Sequence, residues 1–363
     1  MKVTKIFQKY IPKSPFFTKP KKYSNIHFSY KSEIFSIPTL FPQNPNPSTA
    51  IHFFSFLAYI IEEHIFREQI AMSTISFSIL GGDLRQCYLA EYITNKGYNV
   101  TCFGTLPFSY ASSHVTWADT LAEAVCHTDF ILCPVPFSTN NNFINAPALA
   151  PIQLSFEELL QHISPGQQII GGAIPAAFLL ACREKQIPVW DFMTEETFLK
   201  DNASLTAEGL LAHLLDSTPF SLTGRKILLL GYGRCGTEIG RLLLHFDTDI
   251  LAVEQDKTRR IAARMDGLSA LKHYPDEAEL SSFDMVINTI PASVLSKEQL
   301  ALLPSHCHFF DIASAPFGIP KDILSDLKIN YICCPGIPGK KMPQTAGEYI
   351  GKVILERMLS YGI

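Results

Sequence analysis

The stretch Lys226–Gly236, KILLLGYGRCG, decides the fold of the second half of the chain. Its apolar beginning predicts a strand buried on both faces, and three glycines follow in the spacing GxGxxG. In the dinucleotide fingerprint, the first glycine permits a tight turn, the second lets the backbone approach the pyrophosphate, and the third lets helix and strand pack closely. The dipole and free N–H groups of the next helix, predicted over Thr237–Phe246, stabilise phosphate charge. The pattern predicts a nicotinamide dinucleotide site formed by Gly231, Tyr232, Gly233, Arg234, Cys235 and Gly236.

The identity of the dinucleotide depends on the end of the next predicted strand, Ile250–Val253. Glu254 follows this strand, about twenty residues after the first glycine, where an acid bonds the ribose 2′-hydroxyl of NAD and repels the 2′-phosphate of NADP. Basic residues that could neutralise such a phosphate come next, at Lys257, Arg259 and Arg260. The residues by themselves favour NAD slightly and leave NADP open.

Strands and helices alternate along both halves of the chain from Met72 onward. The predicted strands of the first half are Ser76–Leu80, Tyr98–Phe103, Phe130–Cys133, Gln168–Ile170 and Pro188–Asp191, with helices over Leu84–Lys96 and Ile174–Lys185. Those of the second half are Lys226–Leu230, Ile250–Val253, Met285–Ile287, His308–Asp311 and Tyr331–Cys334. The alternation predicts an α/β fold of two Rossmann-like, doubly wound parallel-sheet domains.

A helix over Leu205–Leu215, with Thr206 as its N-cap, is predicted to link the two domains. The expected organisation is an N-terminal Rossmann-like substrate domain over residues 72–204 and an NAD(P)-binding Rossmann domain with its linking helix over residues 205–344. A C-terminal helix over residues 345–363 follows.

The loop after the first strand of the first half differs from the dinucleotide loop. Gly81, Gly82 and Asp83 occupy the corresponding place, but the third glycine is missing and an acid there would repel a pyrophosphate. The first sheet is therefore expected to bind the substrate, outside the carboxyl ends of its strands. Asp83, Arg85 and Gln86 lie at such an end.

Residues 1–71 differ from the rest in being rich in Lys, Pro, Phe and Ser. The lysines at Lys19–Lys22 and the prolines from Pro38 to Pro47 predict no regular element. Three hypotheses compete: a disordered basic arm, a membrane-surface or targeting segment, and upstream sequence translated from a start codon placed too early. We favour the third, because Met72 enters a buried strand at once and Arg67–Glu68 can be encoded by a purine run that binds bacterial ribosomes.

Composition excludes several classes of protein. The chain has 363 residues, of which 47% are hydrophobic and 18% charged, so it can bury a sizeable core. A net charge of −4 speaks against nucleic acid as a partner. The apolar run Ile51–Ile61 is shorter than the about 20 residues of a membrane span, so no membrane partner is expected. The nine cysteines show no paired CxxC spacing, so we expect no metal site and reduced thiols in a cytoplasmic protein.

Short motifs follow one another in a fixed order from Met72 to the C-terminus. They are Gly81–Gln86 (GGDLRQ), Thr206–Gly209 (TAEG), the glycine loop, Ile287–Pro291 (INTIP), Phe310–Ser314 (FDIAS), Pro335–Gly339 (PGIPG) and Pro343–Gly347 (PQTAG). Each motif alone is modest, but their order and spacing together are specific. By these motifs the chain resembles the A subunit of dipicolinate synthase from spore-forming bacteria.

The resemblance implies a function. Such subunits, together with a flavoprotein B subunit, oxidise a dihydrodipicolinate-type heterocycle to the aromatic pyridine-2,6-dicarboxylate. The implied cofactor is NADP, and the implied location is the mother-cell cytoplasm during sporulation. The implied architecture is shared with 2-hydroxyacid and alanine dehydrogenases, in which the last helix returns to the first domain.

The chain departs from the family's pattern in two places. After Ser314 it has Ala-Pro-Phe-Gly318, where the family usually carries a proline with two glycines. Glu254 stands where an NADP enzyme would prefer a neutral or basic residue. Residues 1–71 have no counterpart in the family.

The reaction needs a site that holds two carboxylates, places a ring carbon against the nicotinamide and accepts one proton. Carboxylates call for Arg, Lys or backbone N–H donors. Arg85 is the first candidate, with a surface salt bridge as its alternative role, and Lys340 and Lys341 follow, on a mobile loop predicted over Pro335–Pro343. The other substrate-binding candidates are Gln86, Thr206, Gly336, Pro338 and Thr345. The candidate proton acceptors are Asp83, Glu208 and Asp311.

Further cofactor contacts are expected where strands of the second half end. The predicted residues are Asn288, Thr289 and Pro291 after one strand and Ser314 after the next, beside Glu254. His245 and His273 fall away from strand ends and are expected to be packing or surface residues.

Two other functions compete with an oxidising subunit of dipicolinate synthase. A 2-hydroxyacid or alanine dehydrogenase would use a catalytic histidine with an acid partner, or an arginine near Ser314, and neither is seen in the sequence. A dinucleotide-binding regulatory subunit would leave the redox chemistry to its flavoprotein partner. Reduction of NADP by the purified chain discriminates between these functions.

Overall fold

The computed structural model describes residues 75–107, 114–324 and 329–361, and the backbone of residues 25–30 and 33–38. The chain divides into two units, residues 1–71 and residues 72–363. In the first unit, β1 (Asn25–Tyr30) and β2 (Glu33–Pro38) pair antiparallel. The expectation that this region forms no regular element is therefore wrong, because both segments contain β-forming Ile and Phe and only two residues join them. The run Ile51–Ile61 lies outside the described residues, and the three hypotheses for residues 1–71 stay predictions.

A six-stranded parallel sheet forms the first half of the second unit. The strands in this half are β3 (Ser76–Leu80), β4 (Asn99–Phe103), β5 (Val115–Trp117), β6 (Phe130–Leu132), β7 (Phe143–Ile144), β8 (Leu154–Ser155), β9 (Gln168–Gly171) and β10 (Val189–Asp191). The order across the sheet is β10-β9-β6-β3-β4-β5, and β7 and β8 form a separate antiparallel pair. Because all strands of the sheet are parallel, their carboxyl ends lie along one edge.

Helices cover both faces of this first sheet. They are α1 (Leu84–Asn95), α2 (Leu121–Val125), α3 (Phe156–His162) and α4 (Ala176–Glu184). Successive strand residues point to opposite faces, so Phe77 and Ile79 pack in one core with α1, and Leu80 and Ile131 pack in another with α2 to α4. Burial on both faces explains why the strands contain nearly continuous apolar runs.

One long helix, α5 (Glu196–Ser217), joins the two halves. It begins nine residues before the predicted linking helix Leu205–Leu215, so the predicted boundary between residues 204 and 205 falls inside it. Thr206 is not its N-cap, because the Thr206 hydroxyl donates to the carbonyl oxygen of Asn202, 2.7 Å away in the preceding turn. The first turns of α5 contain polar residues such as Lys200 and Asp201, so they lack the apolar stripe by which a helix is predicted from sequence.

The second half contains another six-stranded parallel sheet. Its strands are β11 (Lys226–Leu230), β12 (Asp249–Val253), β13 (Ser269–Leu271), β14 (Met285–Asn288), β15 (His308–Asp311) and β16 (Asn330–Cys333), in the order β13-β12-β11-β14-β15-β16. The helices around it are α6 (Arg234–Leu244), α7 (Lys257–Met265), α8 (Glu277–Leu280), α9 (Lys297–Ala301) and α10 (Lys321–Leu324). The central β11 is flanked by β12 and β14, so the glycine loop leaves the sheet where the strand order reverses, the usual place for a ligand.

Two helices end the chain, α11 (Ile337–Lys341) and α12 (Pro343–Tyr361). The first corrects the expectation of an irregular, mobile loop over Pro335–Pro343, since Pro338 near its N-terminus is compatible with a helix. The second packs on α1 of the first half: a Cβ on Gly347 would lie 2.6 Å from the carbonyl oxygen of Arg85, and one on Gly351 would lie 2.3 Å from the ring of Tyr92. The last helix therefore returns to the first sheet.

These elements confirm the predicted α/β class, with two Rossmann-like parallel sheets, a linking helix and a returning C-terminal helix. Among the helices that the structure describes, none is long and apolar enough to cross a bilayer.

Candidate dinucleotide and substrate site

The glycine loop after β11 is shaped by close packing at two of its glycines and by open space at the third. Gly231 has a φ of +91°, and a Cβ there would lie 2.5 Å from Oγ1 of Thr289. A Cβ on Gly236 would lie 2.1 Å from the carbonyl oxygen of Gly231. At Gly233, by contrast, the nearest atom to a Cβ would be a guanidinium nitrogen of Arg259, 3.8 Å away. The loop therefore leaves room for a ligand in front of Gly233.

The backbone N–H groups of the loop fall into two sets. Gly231 donates to Val253, and Tyr232 donates to the Glu254 carboxylate at 2.9 Å. In the described part of the chain, the N–H groups of Arg234, Cys235 and Gly236 have no acceptor, as is usual for the first turn of a helix. These three donors and the dipole of α6 form an anion site at the open side of Gly233.

The side chains of Tyr232 and Cys235 point away from this anion site. The Tyr232 ring is 1% exposed, and its hydroxyl donates to Asp266 at 2.8 Å. Cys235 packs beside Thr206 of α5, and burial raises the pKa of its thiol. Only the backbone of these two residues is therefore positioned to contact a dinucleotide, and Cys235 is a packing residue rather than a reactive thiol.

Arg234 lies on the first turn of α6 and pairs with Glu196 on the first turn of α5. Its Nε and one terminal nitrogen donate to the two oxygens of the Glu196 carboxylate at 3.0 and 2.8 Å. Both side chains are more than half exposed. Sequence reasoning missed Glu196, because no local pattern shows that a residue 38 positions earlier meets the glycine loop.

Glu254 at the end of β12 fixes the backbone around it. One carboxylate oxygen accepts from Tyr232 N–H and the other from Asp256 N–H, each at 2.9 Å. Arg260 donates to the carbonyl oxygens of Glu254 and Gln255. Arg259 is 59% exposed, and its guanidinium lies 3.9 Å from the Glu254 carboxylate. Of these two arginines, Arg259 is therefore the one available to a ligand.

Asp311 at the end of β15 lies at the centre of a buried hydrogen-bond network. One oxygen accepts from Nδ2 of Asn288 at 2.9 Å and from the N–H of Ala313 at 3.2 Å. The other accepts from the N–H of Gly318 at 2.6 Å and from the hydroxyl of Tyr331 at 2.8 Å. Asp311 and Asn288 are both fully buried. The network joins β14, β15 and β16, so Asp311 is placed to hold these loops together rather than to meet a substrate.

The other residues predicted after β14 and β15 lie at the same sheet edge. The Thr289 hydroxyl donates to the carbonyl oxygen of Leu230 at 2.9 Å and so fixes β14 to the glycine loop. Pro291 and Ser314 are exposed. Gly318, part of the departure from the family's pattern, packs so closely on Asn288 that a Cβ would lie 2.4 Å from its Nδ2.

At the carboxyl edge of the first sheet, Asp83 and Arg85 form an ion pair. Asp83 caps α1 and accepts from Nε of Arg85 at 2.9 Å and from one terminal nitrogen at 2.8 Å. The same terminal nitrogen also donates to the carbonyl oxygen of Val135. A Cβ on Gly339 of α11 would lie 2.6 Å from Nε of Arg85, so α11 of the second half packs directly on the pair. The Arg85 guanidinium is thus largely engaged within the protein.

Gln86 is the next residue on α1, and its side-chain donor is buried without an acceptor among the described residues. It is 1% exposed, and its Nε2 donates to no acceptor in the described part of the chain. The side chain lies under Gly82, where a Cβ would be 2.2 Å from Cγ of Gln86. The nearby N–H groups of Gly81 and Gly82 donate to Phe103 and Asn145, so this loop offers no backbone donors to a pyrophosphate.

Helix α5 brings further predicted residues near both sheets. Thr206 contacts Cys235 of the glycine loop. Gly209 packs on Ile337 of α11, and a Cβ on Gly209 would lie 2.2 Å from Cγ2 of Ile337. Between them, Glu208 is exposed. The TAEG motif lies in the linking helix, as predicted, but the sequence could not show that it contacts the glycine loop or which of its side chains face solvent.

The remaining candidates lie on α11 and at the start of α12. Gly336 is the left-handed N-cap of α11 with a φ of +69°, and Pro338 is buried. Lys341 approaches Asp216 of α5 at 3.5 Å, and Lys340 is exposed. Thr345 is half-buried within the first turn of α12 rather than before it.

His245 is the C-cap of α6, away from strand ends as expected. His273, by contrast, is exposed two residues after the end of β13, a short strand that the sequence did not predict. Sequence reasoning missed His213 of α5. Its Nε2 is buried without a partner in the described residues, and burial together with the charge of Lys341 lowers its pKa.

Comparison with known proteins supports the resemblance drawn from the motifs. Residues 76–193 match the family model described as the N-terminal domain of the dipicolinate synthase A subunit. The chain is similar to the dipicolinate synthase A subunit of Bacillus subtilis (strain 168), with 22% identity over 292 residues that cover 78% of this chain and 95% of the relative. The resemblance inferred from the motifs is confirmed.

Solved structures share the fold. The crystal structure of the dipicolinate synthase A subunit from Bacillus halodurans matches with a TM-score of 0.70 and 22% identity, covering 78% of this chain and 98% of that chain. The structure of Salmonella D-lactate dehydrogenase matches with a TM-score of 0.51 and 14% identity, covering 77% and 96%. The fold is thus the one found in dehydrogenases of two Rossmann-like domains.

Proposed function

We propose that this chain is the nicotinamide-binding subunit of a dipicolinate synthase and oxidises a dihydrodipicolinate-type heterocycle to pyridine-2,6-dicarboxylate. The dinucleotide, when bound, supplies a hydride acceptor. The heterocycle loses one hydride from a ring carbon to the oxidised nicotinamide and one proton to a base or to solvent, and its ring becomes aromatic. The similarity to the dipicolinate synthase relatives supports the choice of reaction, and the place of action would be the mother-cell cytoplasm during sporulation.

The observation that carries the proposal is the open start of α6. Three unpaired N–H groups, a helix dipole and the open space at Gly233 suit a pyrophosphate. Contact of Gly339 with Arg85 brings the carboxyl edge of the first sheet against the second half of the chain. We therefore assign the substrate to the first half, residues 72–204, and the dinucleotide to residues 205–344.

A direct assay tests the proposal. The purified chain is mixed with NADP and a cyclised dihydrodipicolinate-type substrate, with and without its flavoprotein partner, and reduced nicotinamide is followed by absorbance. We expect reduction of NADP in both mixtures, faster with the partner. Reduction only in the presence of the partner, with no dinucleotide bound to this chain, would favour the alternative in which the chain is regulatory. No reduction in either mixture would contradict the reaction.

We infer that the dinucleotide is NADP rather than NAD. Both oxygens of Glu254 already accept backbone N–H groups, so this acid is used to fix the loop. The exposed guanidinium of Arg259 lies between Glu254 and the open space at Gly233, where an added phosphate would need a cation. Lys257 is also exposed, but Arg260 is bonded to backbone carbonyl oxygens and is not free to turn toward a ligand.

Replacing Arg259 by alanine should therefore weaken NADP binding about 10- to 100-fold, the range for a charged hydrogen bond, while NAD binding changes little. Calorimetry with both dinucleotides measures this. Lys257→Ala removes the same charge two residues away and should have a much smaller effect on NADP. If Arg259→Ala weakened NAD and NADP equally, the arginine would not recognise the 2′-phosphate.

On the substrate side, Gln86 has a buried donor that is unused among the residues that the structure describes. A buried amide donor without a partner costs free energy, commonly about 1–3 kcal/mol, and its presence on the first turn of α1 is explained if a ligand carboxylate accepts its hydrogen bond. Arg85 can offer such a carboxylate its other terminal nitrogen, which has no partner among the described residues. We propose Gln86 and Arg85 as the carboxylate donors, with the exposed Glu208 and the partly exposed Asp83 as candidate proton acceptors.

Gln86→Met keeps the volume of the side chain and removes its donor. The substrate KM should rise about 10- to 100-fold, while the free energy of unfolding without substrate stays the same or increases, because an unsatisfied polar group has been removed. Ser78→Ala is a matched control, since the Ser78 hydroxyl is also buried without a partner in the described ranges but lies inside β3; it should leave KM unchanged. An unchanged KM for Gln86→Met would remove Gln86 from the substrate site.

A further inference from the structure

Two consecutive glutamates at the start of α5 accept hydrogen bonds from different halves of residues 72–363. Glu195 accepts from Nε1 of Trp190 at 3.2 Å and from Arg357 of α12 at 2.7 Å, and so joins the start of α5 to the first sheet and to the returning helix. Glu196 instead accepts two hydrogen bonds from Arg234, on the first turn of α6. The start of α5 is therefore tied to the first half at one residue and to the dinucleotide loop at the next.

The Arg234–Glu196 pair lies beside the anion site at the start of α6. Arg234 is the first helical residue after Gly233, and its N–H is one of the three unpaired donors. Its guanidinium, however, donates to Glu196 through two nitrogens. The hydrogen bonds from Arg234 lower the pKa of Glu196, so the carboxylate is charged at neutral pH. A pyrophosphate arriving at α6 would compete with this carboxylate for the same cation.

Glu196 opposes the phosphate in two ways. It occupies the forked donors that would suit a phosphate, and it adds a negative charge close to the anion site. Glu195 bonds to Trp190 and Arg357, so the helix start that carries Glu196 is fixed to the first half and not to the glycine loop. Binding of a dinucleotide phosphate by Arg234 therefore requires that the pair separate.

We propose that Glu196 is a positioning residue that sets the affinity for the dinucleotide by holding the guanidinium of Arg234 outside the pyrophosphate site until the dinucleotide takes it. The proposal rests on the proposed function, because it needs a dinucleotide on the glycine loop. It goes beyond that function in assigning a role to a residue of the linking helix that has no place in the glycine motif.

Glu196→Gln tests the proposal by calorimetry with NADP. Loss of the competing carboxylate should tighten binding about two- to fivefold, the range expected for an exposed ion pair, and lower the KM for NADP without changing kcat. Arg234→Ala should weaken binding about tenfold, because a charged donor to the phosphate is lost. In the double variant, Glu196→Gln should bring only the smaller gain that comes from removing a negative charge, because the arginine through which it mainly acts is absent. Asp201→Asn removes the same charge from α5 at a residue without an ion pair among the described residues and should leave the affinity unchanged.

The outcomes separate this proposal from the proposed function. If the unaltered chain binds no dinucleotide, the proposed function itself fails. If it binds NADP but Glu196→Gln weakens binding or leaves it unchanged, only the role of Glu196 is overturned. An equal gain from Glu196→Gln with and without Arg234 would also overturn it, since the effect would then be general charge and not release of the arginine.

Discussion

Replacing Gly233 by aspartate should abolish dinucleotide binding and leave the fold intact. The backbone at Gly233 is extended, with a φ of −80°, so a side chain causes no strain. Among the residues that the structure describes, the one atom within 4 Å of such a Cβ is a nitrogen of Arg259 at 3.8 Å, so the new side chain displaces none of them. Gly233 is also the N-cap of α6, where aspartate is one of the preferred residues. The thermal midpoint should therefore stay the same or rise.

The same substitution should strongly weaken binding of the dinucleotide. The new carboxylate would fill the space for the pyrophosphate and place a like charge beside it. Two unit charges about 4 Å apart near a protein surface repel by roughly 4 kcal/mol, which corresponds to about a 1000-fold loss of affinity. Calorimetry with NADP should show no binding at concentrations that saturate the unaltered chain.

Two control variants separate charge, bulk and folding. Gly233→Asn has the same size without the charge and should lose less affinity. Gly236→Ala should instead destabilise the fold, because its Cβ would lie 2.1 Å from the carbonyl oxygen of Gly231. Unchanged affinity in a folded Gly233→Asp variant would mean that the dinucleotide does not lie on this loop.

Five of the six strands in each sheet could be predicted, because each depends on a local pattern, whereas the three-residue strands β5 and β13 were missed. The apolar run of β11 and the glycines that follow it carry their structural meaning within a few residues. The same holds for β3 and α1, whose predicted ends agree with the structure to within one residue. The start of α5 was missed because its early turns are polar, and α11 was missed because Pro and Gly at Pro335–Gly339 also suit a loop.

The contacts of individual side chains could not be predicted, because most of them join distant parts of the chain. The sequence left open whether Arg85 meets a substrate or forms a salt bridge, and its pairing with Asp83 and its contact with Gly339 are seen only once α11 is packed. The pairing of Arg234 with Glu196 likewise depends on the geometry of two helices. Sequence patterns indicate which residue types surround a site. The packing of the helices and strands decides which of their donors and acceptors remain available to a ligand.

Asp311 illustrates this difference and leads to the second large expected effect. The sequence made it a candidate proton acceptor at a strand end, whereas the structure surrounds it with four donors and no solvent. In Asp311→Asn, an NH2 group replaces one of the two carboxylate oxygens. This NH2 group then faces two groups that donate hydrogen bonds to that oxygen in the unaltered chain. Losing two hydrogen bonds to a charged acceptor should lower the free energy of unfolding by about 3–6 kcal/mol. Urea denaturation of the purified variant measures this value.

A comparison with Glu208→Gln makes the Asp311 result decisive for the mechanism. Glu208 is exposed on α5, so its amide variant should unfold at the same urea concentration as the unaltered chain, and its turnover reports directly on proton transfer. Asp311→Asn should lose stability first, and the remaining folded protein should bind NADP more weakly, because Asn288 and the loop that carries Thr289 lose their anchor. A stable Asp311→Asn variant that binds NADP normally but no longer turns over would reverse this assignment and make Asp311 the proton acceptor.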